Sequence, residues 1–507
     1  MNTRDRKISL PTKFAFGAGQ IAEAIKTNSL EFFLLFYYVQ VLHLDPILAG
    51  TALLLALVVD GITDPIIGAL SDNFHSRLGR RHPFMYASAV PFGLMFYLLF
   101  SPPEGIFGTD LFIWLTFFAI SLRVMMTFFL VPYYALGAEL TENYSERTAL
   151  VAMRNILSFL AAMALSIVAF RVYFKSTDAF PQGQLNPDAY PAFAFTFAIV
   201  CVIAILISTR GTQSQIPYLH ISKSEGSLFA GGIKDFYKYF YKGLGEVLKN
   251  RAFLSIFLVS ITFFILSGLQ RALVLHMNTY FWALETAKMQ YMFYAFFAST
   301  VITIPFVKYL INWLDKKKTM YLGLAIILSS FVLPTILRLI GLFPENDSTL
   351  LLPILIISQI TTGFGMGIMV VGMGSIMADI ADDQELKTGK RQEGLIFSFV
   401  TFAMKATSGA GHFFAGLALS VISFPTEDDV KPGDIPEDVL YNLGMVYGPS
   451  VLIFGLVCFY FFSFYDITRA SHEKTLETLI IRRLATGDVA DKRTLEITND
   501  KSTQLSE

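Results

Sequence analysis

Two acidic residues, Asp60 and Asp64, stand four positions apart in a long apolar stretch and are followed directly by Pro65. This spacing places both carboxylates on one face of a helix, where their like charges repel. One of the two must therefore bind a proton, or the pair must bind a cation. Carboxylate oxygen is the ligand that hard cations such as Na⁺ prefer. We interpret the pair as a candidate Na⁺ or H⁺ site; the alternative is two structural carboxylates in ion pairs with neighbouring helices.

Lys405 places a positive charge inside a later apolar stretch. Ionisable groups at membrane depth are costly, which makes each of them a candidate functional residue. Lys405 could neutralise Asp60 and Asp64 when the cation is absent, which would give the site two states. A static ion pair is the alternative. We interpret Lys405 as a coupling residue.

The first apolar stretch carries Glu23, Lys26, Asn28 and Glu31 within nine residues. Glu23 and Lys26 have the spacing of a helical ion pair. Asn28 and Glu31 are expected to face an aqueous cavity, because their polar groups are unfavourable against lipid. Glu23, Asn28 and Glu31 are therefore candidate substrate-binding residues.

Arg123 and Arg271 lie within apolar stretches in different halves of the chain. If both point inward, they supply fixed cationic donors suited to carboxylate or hydroxyl-rich ligands. In the alternative, they pair with Glu31 or with each other.

These side chains need a membrane scaffold to position them. The chain is 54% hydrophobic and only 16% charged, whereas soluble proteins are about a quarter charged. A helical span needs about 20 mostly apolar residues, and this rule predicts twelve spans, near 14–42, 47–70, 84–102, 110–137, 150–172, 192–209, 252–280, 290–311, 319–342, 350–377, 394–423 and 443–465. The predicted fold is an all-α membrane protein of two six-helix bundles, 1–209 and 252–466, with a linker at 210–251 and a tail at 467–507.

The basic residues predict the orientation of the chain. Segments on the side of the N-terminus hold 30 of the 39 Lys and Arg residues, and such an excess marks the cytoplasmic side. Both termini are therefore expected in the cytoplasm. The net charge of −1 gives no reason to expect a nucleic-acid partner.

Acidic and basic residues recur at equivalent positions of the two halves. Glu139 after the fourth span matches Asp379 after the tenth, and a basic cluster follows both the second and the eighth span. We predict that Asp72, Arg77, Glu139 and Arg147 hold a cytoplasmic gate shut through ion pairs.

The sequence gives no sign of catalysis. The seven histidines are scattered without metal-ligand spacing, and no phosphate-binding loop is present. We expect no enzyme and no cofactor other than the coupling ion.

Several motifs taken together carry a family resemblance. The ranges 60–65, 70–72 and 77–84 read DGITDP, LSD and RLGRRHPF, and 389–394 reads GKRQEG. With Lys405, they are similar to the glycoside–pentoside–hexuronide:cation symporters, the branch of the major facilitator superfamily that includes melibiose permease. Aligned motifs recur from residue 13 to about residue 470.

The resemblance implies a cation site at Asp60, Asp64 and Thr127, with Thr63 as a further candidate. It also implies a coupling lysine at Lys405 and an arginine near the sugar cavity at Arg154. The two aspartates that hold the sugar in melibiose permease correspond to Ala24 and Leu130, which makes a galactoside substrate doubtful.

The implied function is cation-coupled symport of a small solute by alternating access, in a monomer of a bacterial inner membrane. Arg123 and Arg271 favour an acidic sugar or oligosaccharide, although any glycoside remains open. The alternatives are a carrier of lipid-like amphiphiles, because family relatives without the sugar aspartates can move lipids, and a membrane sensor that binds its solute without moving it.

Overall fold

The computed structural model describes residues 7–74, 76–141, 143–218, 245, 247–389, 393–426 and 433–485. Within these ranges the chain forms helices and no strand. The N-terminal half contains α1 (Leu10–Ser29, extended by π-helical turns Leu30–Leu34 and Tyr37–Val41), α2 (Pro46–Asn73), α3 (His82–Leu99), α4 (Gly108–Glu139), α5 (Tyr144–Val168, followed by a π-helical turn Ala169–Tyr173) and α6 (Ala189–Thr212).

The C-terminal half repeats this arrangement and ends in an additional short helix. It contains α7 (Arg251–His276, followed by a π-helical turn Met277–Phe281), α8 (Thr286–Leu314), α9 (Lys316–Leu339), α10 (Leu351–Thr388), α11 (Glu393–Val421), α12 (Glu437–Ser463, interrupted at Gly448) and α13 (Arg469–Ala485). Nine helices of the described ranges are long and apolar enough to cross a membrane. Helices α1, α3 and α11 complete the twelve expected spans.

Local chemistry explains where several of these helices begin and end. The Asp45 carboxylate accepts hydrogen bonds from the backbone of Ile47 and Leu48 at 2.8 and 3.1 Å, and Pro46 occupies the first helical position of α2. The Asn250 side chain caps α7 in the same way. Helix α10 runs eleven residues beyond the predicted span and stops at Gly389, whose φ of +70° suits glycine.

The two halves are built on one packing plan. In the N-terminal bundle, α1 packs on α5 and α6, α2 on α4, and α3 on α4 and α6. In the C-terminal bundle, α7 packs on α11 and α12, α8 on α10, and α9 on α10 and α12. Each pair in the first bundle has its counterpart six helices later in the second. The predicted six-plus-six repeat is therefore present in the structure.

The two bundles contact each other through helix pairs that are equivalent under the six-helix repeat. Helix α2 packs on α11, α5 on α8, and the first π-helical turn of α1 on α7. These pairs are related by a pseudo-two-fold axis, and they place α1, α2, α4, α7 and α11 around a central cavity. Of the predicted linker, residues 219–244 lie outside the described ranges.

Helix α1 begins, and α12 ends, at the same end of the bundles, which we call the terminal side; the other end is the distal side. Polar contacts join the two bundles on the distal side. Gln184 contacts the hydroxyls of Thr279 and Thr286 at 2.9 and 2.6 Å, and the Tyr280 hydroxyl donates to Gln40 at 2.9 Å. On the terminal side, the ion pairs formed between described residues stay within one bundle. The structure is thus a state closed on the distal side.

Candidate functional site

A polar cavity lies between the bundles. Its polar lining comes from α1, α2, α4, α7 and α11: Glu23, Lys26, Thr27, Glu31, Asp60, Arg123, Thr127, Ser267, Arg271 and His412. Most of the intramembrane charges predicted to be functional therefore face one shared space.

Asp60 and Asp64 are joined by the hydroxyl of Thr127. Thr127 Oγ1 lies 3.0 Å from Asp60 Oδ1 and 2.9 Å from Asp64 Oδ1, and both Asp60 and Thr127 are buried. A hydroxyl carries one hydrogen and cannot donate fully to two carboxylates at once. Both short contacts are satisfied if one aspartate carries a proton and donates to Thr127, or if a cation sits among the three oxygens. Either Na⁺ or H⁺ would therefore satisfy both contacts of the Thr127 hydroxyl.

Arg123 lies on the other side of Asp60. Its Nη1 is 3.5 Å from Asp60 Oδ2, so one carboxylate oxygen faces Thr127 and the other faces the guanidinium. The ion-pair alternative is therefore realised for Asp60, through an arginine of α4. Arg123 makes this contact rather than pairing with Glu31 or Arg271, and it also lines the cavity.

The charges of α1 are paired as their spacing suggests. Lys26 Nζ lies 2.9 Å from Glu23 Oε2, and the Thr27 hydroxyl donates to Glu23 Oε1 at 3.0 Å. Glu31 forms an ion pair with Arg271 across the two bundles. The Arg271 guanidinium also lies 5.9 Å from the centre of the Phe32 ring. Glu23, Glu31 and Arg271 all line the cavity.

Three predicted site residues, Asn28, Thr63 and Arg154, are not brought into this group. The Asn28 side chain donates to the Ala24 carbonyl of its own helix at 2.7 Å, and the Thr63 hydroxyl donates to the Asp60 carbonyl at 3.2 Å. Arg154 lies over the Tyr134 ring, 5.1 Å from its centre, instead of lining the cavity. The side chain of Lys405 lies outside the described part of α11.

Two of the four predicted gate residues, Asp72 and Glu139, form ion pairs in this structure, but with partners other than Arg77 and Arg147. The residues that pair with Glu139 are Arg80 at 2.8 Å and Arg81 at 2.9 Å, because the chain entering α3 turns these two side chains towards the end of α4. Arg81, 5% exposed, also contacts Asp72 at 2.5 Å.

Arg77 and Arg147 are exposed instead, and neither takes part in an ion pair between described residues. The cluster also connects helices of one bundle and does not bridge the two. Its counterpart in the second bundle is the contact of Lys316 with Asp379 at 2.6 Å, as the repeat predicts.

The sequence did not reveal a second, mostly apolar chamber, formed mainly by helices of the C-terminal bundle. Its walls come from α7, α8, α9, α10 and α12 and from Phe32 in the π-helical extension of α1. Ser267 and Arg271 line both this chamber and the polar cavity. Phenylalanine and methionine at helical spacing ordinarily indicate packing or lipid contact, so only the assembled bundle reveals the space. Within the described ranges, no three His, Cys, Asp or Glu residues are grouped to hold a metal ion.

Comparison with known proteins agrees with this architecture. The model of the family described as MFS/sugar transport protein matches residues 15–469. The chain is 25% identical to an uncharacterized symporter, sll1374, of Synechocystis, over 94% of this chain and 98% of the relative.

It is 23% identical to the putative glycoside/cation symporter YagG of Escherichia coli, over 95% and 97%. It is 22% identical to the sodium-dependent lysophosphatidylcholine symporter 1 of Xenopus tropicalis, over 93% and 91%. Among solved structures, a bacterial homologue of the human lysosomal transporter Spinster shares the fold with a TM-score of 0.59 at 11% identity, over 92% of this chain and 97% of that one.

Proposed function

Since the chain belongs to the MFS/sugar transport protein family and is an integral membrane symporter rather than an enzyme, we propose that it couples one Na⁺ or H⁺ at Asp60, Asp64 and Thr127 to the movement of a glycoside. The observation that carries this proposal is the hydroxyl of Thr127 lying within 3.0 Å of both carboxylates. Three oxygen atoms so close together can hold one Na⁺ or H⁺, which is what a coupling site must bind and release.

The charges around the polar cavity favour a solute without net charge. Among the described residues that line the polar cavity, three carboxylates and three cations balance: Glu23, Glu31 and Asp60 against Lys26, Arg123 and Arg271. Arg123 and Arg271 each already contact a carboxylate of the protein. They therefore no longer favour an acidic sugar over a neutral one. Sugar hydroxyls both donate and accept, and they match a wall of alternating acceptors and donors.

Alternating access gives the distal contacts a role. The excess of Lys and Arg on the terminal side makes it the cytoplasmic side in this proposal, with both termini in the cytoplasm of a bacterial cell. The state closed on the distal side is then inward-facing. Outward opening requires that the hydrogen bonds of Gln184 and Tyr280 across the bundle interface break.

The test is uptake of radiolabelled glycosides by proteoliposomes under a Na⁺ or a proton gradient. Asp60→Asn and Asp64→Asn should lose gradient-driven accumulation, because each removes a charge that the cation must balance. Asp110→Asn changes an exposed aspartate in the first turn of α4 and serves as the matched control. Full concentrative uptake by either site variant would refute the coupling role.

A second candidate solute is a lipid-like amphiphile. The observation in its favour is the apolar chamber, which adjoins the polar cavity at Ser267 and Arg271, together with the similarity to a lysophosphatidylcholine symporter. Competition of lysophosphatidylcholine with glycosides for uptake distinguishes the two candidates. A sensor that binds without transport is not supported, because the family is one of transporters.

A further inference from the structure

The apolar chamber has the composition of a ligand site. It is lined by aromatic and sulfur-containing side chains with a few polar groups among them: Phe263, Met292, Phe293, Phe296, Phe331 and Met366. Sites for small organic ligands combine such walls with a small number of placed polar atoms. Aromatic rings and methionine sulfur also make favourable contacts with a flat aromatic guest.

Two of the polar groups lining the chamber have atoms without a partner. Gln270 is 3% exposed; its Nε2 donates to the Tyr447 carbonyl at 2.8 Å, while its Oε1 accepts no hydrogen bond. Asn278 is 2% exposed, and its Nδ2 donates none. Buried polar atoms are nearly always satisfied, so such atoms need an explanation. A ligand that supplies a donor to Gln270 and an acceptor to Asn278 would satisfy both.

The spacing of these two residues indicates the shape of that ligand. Eight positions separate them, which corresponds to about 12 Å along a helix. An elongated, ring-containing group with a polar substituent can fill the chamber and reach a buried amide, whereas a plain acyl chain leaves both amide atoms unsatisfied.

We propose that the chamber binds an aromatic, polar-substituted aglycone of the transported solute, which is then an aryl glycoside with its sugar in the polar cavity. This inference rests on the proposed glycoside function. The glycosidic bond would lie beside Ser267 and Arg271, the residues common to both spaces.

The experiment uses the purified full chain and three probes: umbelliferone, umbelliferyl glycosides and the corresponding methyl glycosides. Umbelliferone is a flat bicyclic ring system with a carbonyl and a hydroxyl, and its fluorescence reports entry into an apolar site. Saturable binding of free umbelliferone is expected, together with tighter binding of umbelliferyl than of methyl glycosides by at least about tenfold, since an aromatic ring leaves water.

Two variants locate the effect. Val274→Phe fills part of the chamber, and Asn278→Leu removes the unpartnered donor while keeping the number and branching of the side-chain heavy atoms. Both should weaken binding of umbelliferone and its glycosides while methyl glycoside uptake stays within about twofold, because the sugar cavity is untouched.

Equal binding of umbelliferyl and methyl glycosides, or umbelliferone binding unchanged in both variants, would overturn the aglycone proposal and leave the glycoside function standing. If the wild-type protein transports no methyl glycoside, that result would instead count against the glycoside function. Displacement of umbelliferone by lysophosphatidylcholine but by no glycoside would overturn both in favour of the amphiphile.

Discussion

Replacing Thr127 with valine isolates the hydroxyl that bridges the two aspartates. Valine has nearly the same shape as threonine, so the 2% exposed position remains filled. The substitution removes the contacts of 3.0 and 2.9 Å to Asp60 and Asp64 and leaves both carboxylates in place. The bound cation then loses one of three oxygen neighbours, or the shared proton loses its acceptor.

The size of the effect follows from the contacts that are lost. A hydrogen bond to a charged group contributes about 1.5–3 kcal/mol, and each 1.4 kcal/mol corresponds to about a tenfold change in affinity. We therefore expect the cation concentration for half-maximal uptake to rise roughly 10- to 100-fold in Thr127→Val. Uptake at saturating cation should largely recover, because the residues around the sugar are unchanged.

The assay is initial uptake rate against cation concentration in proteoliposomes, with Thr63→Val as the matched control. Thr63 carries the same side chain directly before Asp64 in the sequence, but its hydroxyl donates to the Asp60 carbonyl of its own helix, so its substitution should shift the curve by less than about twofold. A shift below twofold in Thr127→Val, or equal shifts in both variants, would refute the assignment of the bridging hydroxyl.

Three further predictions concern the two ends of the molecule. Arg81→Ala should destabilise the detergent-solubilised protein by about 1.5–3 kcal/mol in chemical unfolding, because the buried Arg81 guanidinium loses its hydrogen bonds to Glu139 and Ser71 while Arg80 still pairs with Glu139. Arg77→Ala at an exposed position should change the unfolding free energy little, and similar values for the two variants would contradict the reassigned cluster. Gln184→Leu removes two contacts between the bundles and should raise distal-side accessibility to a cysteine reagent roughly 5- to 100-fold; unchanged labelling would exclude it from the closed-state contacts. A hydrogen bond to Asp382 raises the pKa of His472 above its usual 6.5. Docking of α13 on α10 should therefore be strongest below about pH 6.5 and weaken as the pH rises through the raised pKa. Limited proteolysis of α13 measures this dependence, and an identical pH response in His472→Gln would contradict it.

The spans and the paired charges within one helix could be predicted because both depend on local spacing. Apolar runs gave the twelve helices, and the intervals between Asp60 and Asp64 and between Glu23 and Lys26 placed each pair on one helix face. Asp60 and its partner Arg123 are 63 positions apart, and no local pattern specifies which charges of separate helices meet.

The arginines after α2 also show that the sequence does not specify which charges of separate helices meet. Arg77, Arg80 and Arg81 are chemically identical and lie within five positions. Only the direction in which the chain enters α3 decides which of them reach Glu139. The apolar chamber is a further case, since its lining comes from six helices and no residue in it stands out within its own segment.

The π-helical turns at the distal ends of α1, α5 and α7 limit where residues can be deleted from this chain. In each, a backbone N–H bonds to the carbonyl five positions earlier, as in the contacts of Leu42 with Tyr37, Phe174 with Ala169, and Trp282 with Met277. Such a turn holds one residue more than an α-helical turn. Deleting that residue would restore regular geometry and rotate everything beyond it by about 100°, carrying Gln40 or Thr279 away from the opposite bundle. Single-residue deletions at these three positions should therefore be tolerated far less well than substitutions there.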